Sequence, residues 1–324
     1  MGSETELSTK RERNWMKVLF HLQMTISFLC SLHYVINQSY WTTIFYSIFI
    51  IMISYLGVTA GAHRLWAHKS YTANTQLRFF LAMCQTLAGC GSIYDWVRWH
   101  RLHHKHFNTV LDPFNPSLGW FYAHINSNTL SLSPAQEKAL EEIDMSDLEN
   151  DKIVMYQKKL YNVLYIFFTF LIVINAPAEY WGEDILTAIF IAGWMRYYVT
   201  LHLVWLINSA TRIWGLQPGE KYPCDTNLVF ILSKNFWLSY HYLAPWDYQT
   251  SEYSKYGTDY VSTFIRVCAA LEYATDLRTI DSESVRSALF TSMREKKNIQ
   301  EALEEASDTC NLPKTHYLTP SKYY

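Results

Sequence analysis

Histidines stand in two tight groups, His63 and His68 in "HRLWAH" and His100, His103, His104 and His106 in "HRLHHKH". Imidazole donors with no thiolate beside them favour iron, copper or zinc over magnesium or calcium. On a helix His100 and His104, four residues apart, share a face, while His103 is turned away and can serve a different ion. That spacing suits two metals side by side better than one. The chain has neither the Glu-x-x-His of carboxylate di-iron helices nor the His-Glu-x-x-His of zinc proteases. Isolated histidines such as His21, His33 and His316 read as packed or solvated residues. A third segment, "SKNFWLSYHYLAPWDY" (233–248), holds a single histidine, His241, among aromatics.

Such groups must be carried on elements that bring them to one place. Val18 to Ala62 contains no Asp, Glu, Lys or Arg, enough for two membrane spans of about 20 residues with a short turn between them. A second apolar pair follows, joined by "EYWGED". The fold class expected is therefore all-α integral membrane, with four transmembrane helices at about 18–37, 42–61, 160–178 and 185–207 in two hairpins. Lys10, Arg11, Arg13 and Lys17 precede the first span and neither turn carries Lys or Arg, which places both termini and the middle section in the cytosol. That topology returns every histidine group to one side of the membrane. The first apolar run exceeds the core of a signal peptide, so no cleaved leader is expected.

Residues 78–94 are apolar but too short to span comfortably and read as an interfacial or protein-buried helix. Residues 1–17 read as a cytosolic tail, 18–278 as the membrane domain, and 279–324 as a cytosolic tail with one exposed amphipathic charged helix. A net charge of -2 excludes a general nucleic-acid binder. The six cysteines show no paired spacing and are assigned no chemistry.

Six stretches together resemble the membrane acyl-CoA desaturases of the delta-9, or stearoyl-CoA, type: "GVTAGAHRLWAH", "WHRLHHKH", "DPFNP", "DMSDLENDKIVMYQ", "WLINSA" and "PWDYQTSEY". They run in the same order and spacing from about Val18 to Arg278. The resemblance implies four membrane helices under a cytosolic helical cap that holds two irons by nine histidines. It further implies a fatty acyl-CoA substrate in a bent tunnel, oxygen, two electrons from cytochrome b5, a setting of membrane lipid, a role in unsaturated fatty acid biosynthesis, and the endoplasmic reticulum membrane as location. An unactivated methylene offers no acid-base handle, which is why a metal-oxygen oxidant is needed. Trp96, Arg98 and Trp205 match the family at substrate-contact positions.

Three of the nine ligand positions depart from the pattern. Anchored on "PWDY", the third box sets Leu238 and Tyr242 where two histidines are expected and keeps His241 at the third, and Arg212 stands at the ninth position, in "NSATR". In a helical third box, Leu238 and Tyr242 share a face and His241 points toward the other ion. One iron would then keep His63, His68, His100, His104 and His241. The second would keep only His103, with Asn208 acting through water, and Arg212 would bring a fixed positive charge to it. The resemblance implies two irons (Fe2+), and the retained ligands complete one. These losses argue against conventional two-iron activity. The alternative reading is an inactive or single-metal paralogue that binds acyl-CoA or partners an active desaturase.

Overall fold

The computed structural model describes residues 8–213, 238–249, 260–280 and 282–309. Within its helices the side chains of 210–213, 238–240, 282–283 and 308–309 lie outside that description. Four long apolar helices dominate: Trp15–Asn37, Trp41–Ala67, Lys152–Trp181 and Ile185–Ser209. Each has at least the length of about 20 residues that a hydrocarbon core demands. Among the described residues the only sheet is the antiparallel pair Thr72–Ala73 with Ala274–Thr275. The protein is thus an all-α multi-pass membrane protein, as the charge-free runs require. Helices suit this solvent because each satisfies its own backbone polar groups.

The chain forms two compact units, Met1–Val58 with Leu81–Arg212 and Thr59–Phe80 with Ile213–Tyr324. In the first, the short turns of the two hairpins are tied by a buried carboxylate. Glu183 accepts from the Tyr40 amide and the Thr43 hydroxyl, and Trp181 Nε1 donates to Thr43 Oγ1 at 2.8 Å. The segment before the first span is fastened as well. Arg11 donates to the carbonyls of Pro113, Ser127, Leu130 and Ser131 and to the Tyr122 hydroxyl, while the backbone of Glu12 and Asn14 bonds Ser131 and Thr129.

The second helix changes its winding along its length. From Gly57 to Ala67 its hydrogen bonds run in the wider π pattern, with His68 N bonding His63 O at 3.1 Å. Gly57 marks a close crossing with the helix Thr75–Ala88, because a Cβ there would stand 2.3 Å from Gln85 N and 2.4 Å from Cys84 C. No side chain larger than hydrogen fits. The expected single helix over 78–94 is in fact two, Thr75–Ala88 and Ile93–Lys105. The left-handed Gly89 and Gly91 break the run.

In the second unit the C-terminal charged segment is also two helices, Ser282–Glu295 and Ile299–Thr309. Lys296 takes a left-handed backbone (φ 54°) and ends the first. The pair encloses a small core of Ala288, Ala302 and Leu303 against Trp246 and Ile280. The segment expected as one exposed amphipathic helix is therefore a helix pair whose apolar faces share a small core.

A guanidinium lies buried inside the fourth span. Arg196 donates from Nε to Ala192 O at 2.9 Å, from Nη1 to Leu87 O at 3.1 Å and from Nη2 to Thr169 O at 2.6 Å. Its partners are all carbonyls, and they join the third span, the fourth span and the end of Thr75–Ala88. Leu87 lies in the last turn of its helix, where carbonyls have no intrahelical donor. Arg196→Met leaves the Leu87 carbonyl without its donor in an apolar setting and removes the joint to Ala192 and Thr169, at an expected cost on the order of 3 kcal/mol. Denaturant unfolding in detergent micelles checks it, with Arg196→Lys losing less.

Candidate metal centre

His63 and His68 stand five residues apart. On an α-helix that separation is about 140° of rotation, whereas a helix bonded from i to i+5 returns nearly to the same face after five residues. The π winding of 57–67 therefore aligns them, with ring centroids 4.8 Å apart. His241, on the short helix Leu238–Leu243, joins them in the second unit. Its ring lies 4.5 Å from His63 and 4.9 Å from His68, and its Nε2 is 3.1 Å from His63 Nε2.

Two nitrogens bound cis to one transition ion, each at about 2.1 Å, stand roughly 3 Å apart. The three imidazoles thus have the donor type and spacing of a metal site. The third-box segment is held in place by backbone. Buried Arg64 donates to Tyr248 O at 2.9 Å, Tyr248 N bonds Arg278 O, and Arg278 N bonds Ser70 O. Arg64 lies within "HRLWAH" yet was absent from the sequence-derived site, since arginine there carries no ligand signal.

In the first unit the helix Ile93–Lys105 presents His100, His103 and His104. The rings of His100 and His104 are 4.6 Å apart, as four-residue spacing requires. His100 Nδ1 lies 3.1 Å from Asn208 Oδ1, an acceptor, so Nδ1 carries the proton and Nε2 keeps its lone pair. His103 Nδ1 meets Asp112 Oδ1 at 2.8 Å with both side chains fully buried. A carboxylate behind a histidine fixes ring and tautomer as it does for metal ligands. Asn208, expected beside His103, is thus engaged by His100. His103 is bordered by the phenyl rings of Phe107 and Phe114, each 5.5 Å away.

Tyr242 follows His241 by one residue, a step of about 100° around a helix, and its carbonyl accepts from Gln300 Nε2. The side chains of Arg212 and Leu238 lie outside the described residues.

The histidine helix is anchored at its start. Ser92 caps it through Asp95 N, and Gln157 Oε1 accepts from Ile93 N at 3.0 Å. The same amide donates to Gln85 Oε1 and Thr86 Oγ1. Further along, Arg101 forms a two-pronged pair with Asp147.

A cavity of about 330 Å³ opens beside this helix, lined by Trp96, Trp99, His100, Leu201, Trp205 and Asn208 among others. Trp96 lies flat on His100, with centroids 4.9 Å apart. Trp96 and Trp205 line this cavity. Arg98 is not among its lining residues, and its Nε bonds Leu140 O. Around Trp205 stand histidines that looked isolated in the sequence. His21 stacks on its ring at 4.8 Å, and His124 Nε2 lies 3.0 Å from His202 Nδ1. Burial first, and then the charges on His202 and His21, push His124 down to about 3, so it is neutral near pH 7. Ser209 Oγ donates to Trp205 O and thus accepts from His124 Nδ1. Residues 78 positions apart gave no local signal for this contact.

Four helices of membrane-spanning length and histidines grouped so that they could hold a metal define a multi-pass, histidine-rich membrane protein. The chain is similar to an acyl-CoA Delta-9 desaturase of Acheta domesticus, 38% identical over 275 residues, which cover 84% of this chain and 76% of the relative. It is similar also to an acyl-CoA Delta-12 desaturase of Tribolium castaneum, 36% identical over 84% of this chain and 77% of the relative. The stearoyl-CoA desaturase of Homo sapiens is 33% identical over 86% and 78%. No protein-family model matches the chain. At these identities and coverages the chain belongs to the acyl-CoA desaturase family, proteins of fatty acid biosynthesis.

Gln157 carries three of the bonds that seat the histidine helix. Gln157→Leu is expected to lower stability by about 2 kcal/mol. Hydrogen exchange is the sharper check: protection should fall at the amides of 91–95 and stay unchanged in the C-terminal helix pair.

Proposed function

We propose that this protein binds a fatty acyl-CoA and holds one iron through His63, His68, His100, His104 and His241, without conventional two-iron desaturation. The observation carrying this reading is the contrast between two environments. His63, His68 and His241 gather within one set of donor nitrogens, and His100 has its Nδ1 side occupied, leaving Nε2 for a ligand role. His103 instead stands between a carboxylate and two phenyl rings. The second set of ligands, for which Arg212, Leu238 and Tyr242 replace the family's histidines, is reduced to His103, since Asn208 is engaged by His100.

When bound, iron with dioxygen supplies the oxidising power that an unactivated methylene requires. The residues of this chain have other tasks. Asn208 holds the His100 proton on Nδ1, and Trp96 fixes the ring by stacking. Trp96, Trp99 and Trp205 provide an apolar wall suited to an acyl chain. Basic residues before the first span, with none in either turn, support cytosolic termini, and the family resemblance supports the endoplasmic reticulum membrane as location. Residues 18–278 form its desaturase-like membrane domain, and 279–324 a cytosolic tail.

The identity to named desaturases favours a second reading, a working desaturase taking two electrons from cytochrome b5. Metal content separates the two. The purified chain is expected to carry one iron, and the triple change Arg212→His, Leu238→His and Tyr242→His to raise this to two. Two irons in the unaltered chain, with unsaturated product in a desaturase-deficient host, would establish the second reading. Asn208→Leu is expected to weaken metal binding about 10- to 100-fold with helix content unchanged.

A further inference from the structure

Residues 113–136 contain no Asp, Glu, Lys or Arg, although they lie outside the four spans. In the middle of this stretch large apolar side chains stand open. Leu118 is 59%, Trp120 39% and Phe121 59% exposed. Exposed apolar side chains gathered in one place mark a surface that something covers.

Contacts inside the first unit set the level of this stretch along the spans. Trp120 lies flat on His124 with centroids 5.1 Å apart, and His124 meets His202 at 3.0 Å and the Trp205 ring at 6.0 Å. At about 1.5 Å per residue, His202 stands roughly 26 Å and Trp205 roughly 30 Å from Ile185, at the other end of the fourth span. On the first span His21, which stacks on Trp205, stands roughly 24 Å from Asn37. A hydrocarbon core is about 30 Å thick. Both counts therefore put His124 and Trp120 at its edge, on the side of the N-terminal segment. Asn14 N bonds Thr129 O at 3.0 Å, so the stretch also joins the start of the first span.

We propose that residues 118–121 lie in the membrane interface, with Leu118 and Phe121 against acyl chains and Trp120 at headgroup level. They continue the lipid-facing surface at the start of the first span, where Met16 and Leu19 are exposed. Lipid is the occupant because the side chains stand at the hydrocarbon edge, and an indole suits that boundary with its apolar ring and polar N–H. The attachment is apolar rather than ionic. Arg11 and Lys17, the cations that reach this stretch, are spent on the Tyr122 hydroxyl and on backbone carbonyls. The same stretch supplies Ser127 and Asn128 to the cavity wall, so the contact seats one side of the cavity on the bilayer.

The test places a photo-crosslinking amino acid at Phe121, or at the exposed Glu141 as control, in the full chain reconstituted in phosphatidylcholine vesicles with and without phosphatidylserine. A lipid adduct is expected at 121, several-fold above that at 141. Its yield should be equal in the two membranes, because the stretch has no charge to read the headgroup. With the crosslinker at Leu118, Phe121→Asp should lower the lipid adduct several-fold and Phe121→Leu should leave it unchanged. Equal yields at 121 and 141, an adduct at 121 to protein instead of lipid, a yield that rises with phosphatidylserine, or a Leu118 adduct indifferent to Phe121→Asp would each overturn the proposal.

Discussion

Two imidazoles separated by five residues cannot share a face of an α-helix. The centre therefore depends on the change of winding in the second span, where hydrogen bonds pass to the i to i+5 pattern from Gly57. The wider turn places His68 over His63, and the missing side chain at Gly57 lets the helix cross against Gln85 and Cys84. Arg64 beside His63 takes the carbonyl of Tyr248, and by that bond the short helix bearing His241 is fixed to the same unit.

The membrane-spanning part depends on a complementary constraint, that no polar group in hydrocarbon be left unpaired. Arg196 answers it with three carbonyls drawn from three places in the chain. Glu183 answers it at the opposite end of the hairpins by collecting a backbone amide and a hydroxyl. Such groups give the bundle directional joints that apolar packing lacks, because side-chain packing between helices in lipid has little hydrophobic drive.

The histidine helix is supported from several sides: Gln157 at its start, Asn208 behind His100, Asp112 behind His103 and Arg101 on Asp147. Asp112 both meets His103 and holds the Phe114 amide, and so has a structural task besides orienting the ring.

The sequence by itself determined the membrane fold, because 45 residues without charge admit few other solvents, and it set out the tight histidine groups from which a metal centre could be expected. It also identified the family, which is a matter of residue identity. Tertiary structure decided how His63 and His68 align, since a π winding leaves no mark in side-chain periodicity read at 3.6 residues per turn. It also paired Asn208 with His100, joined His124 to His202 and split the C-terminal charged run into a hairpin with one buried face. Each of these rests on contacts between residues distant in the chain or on a backbone register, and neither is carried by the local pattern of residue types.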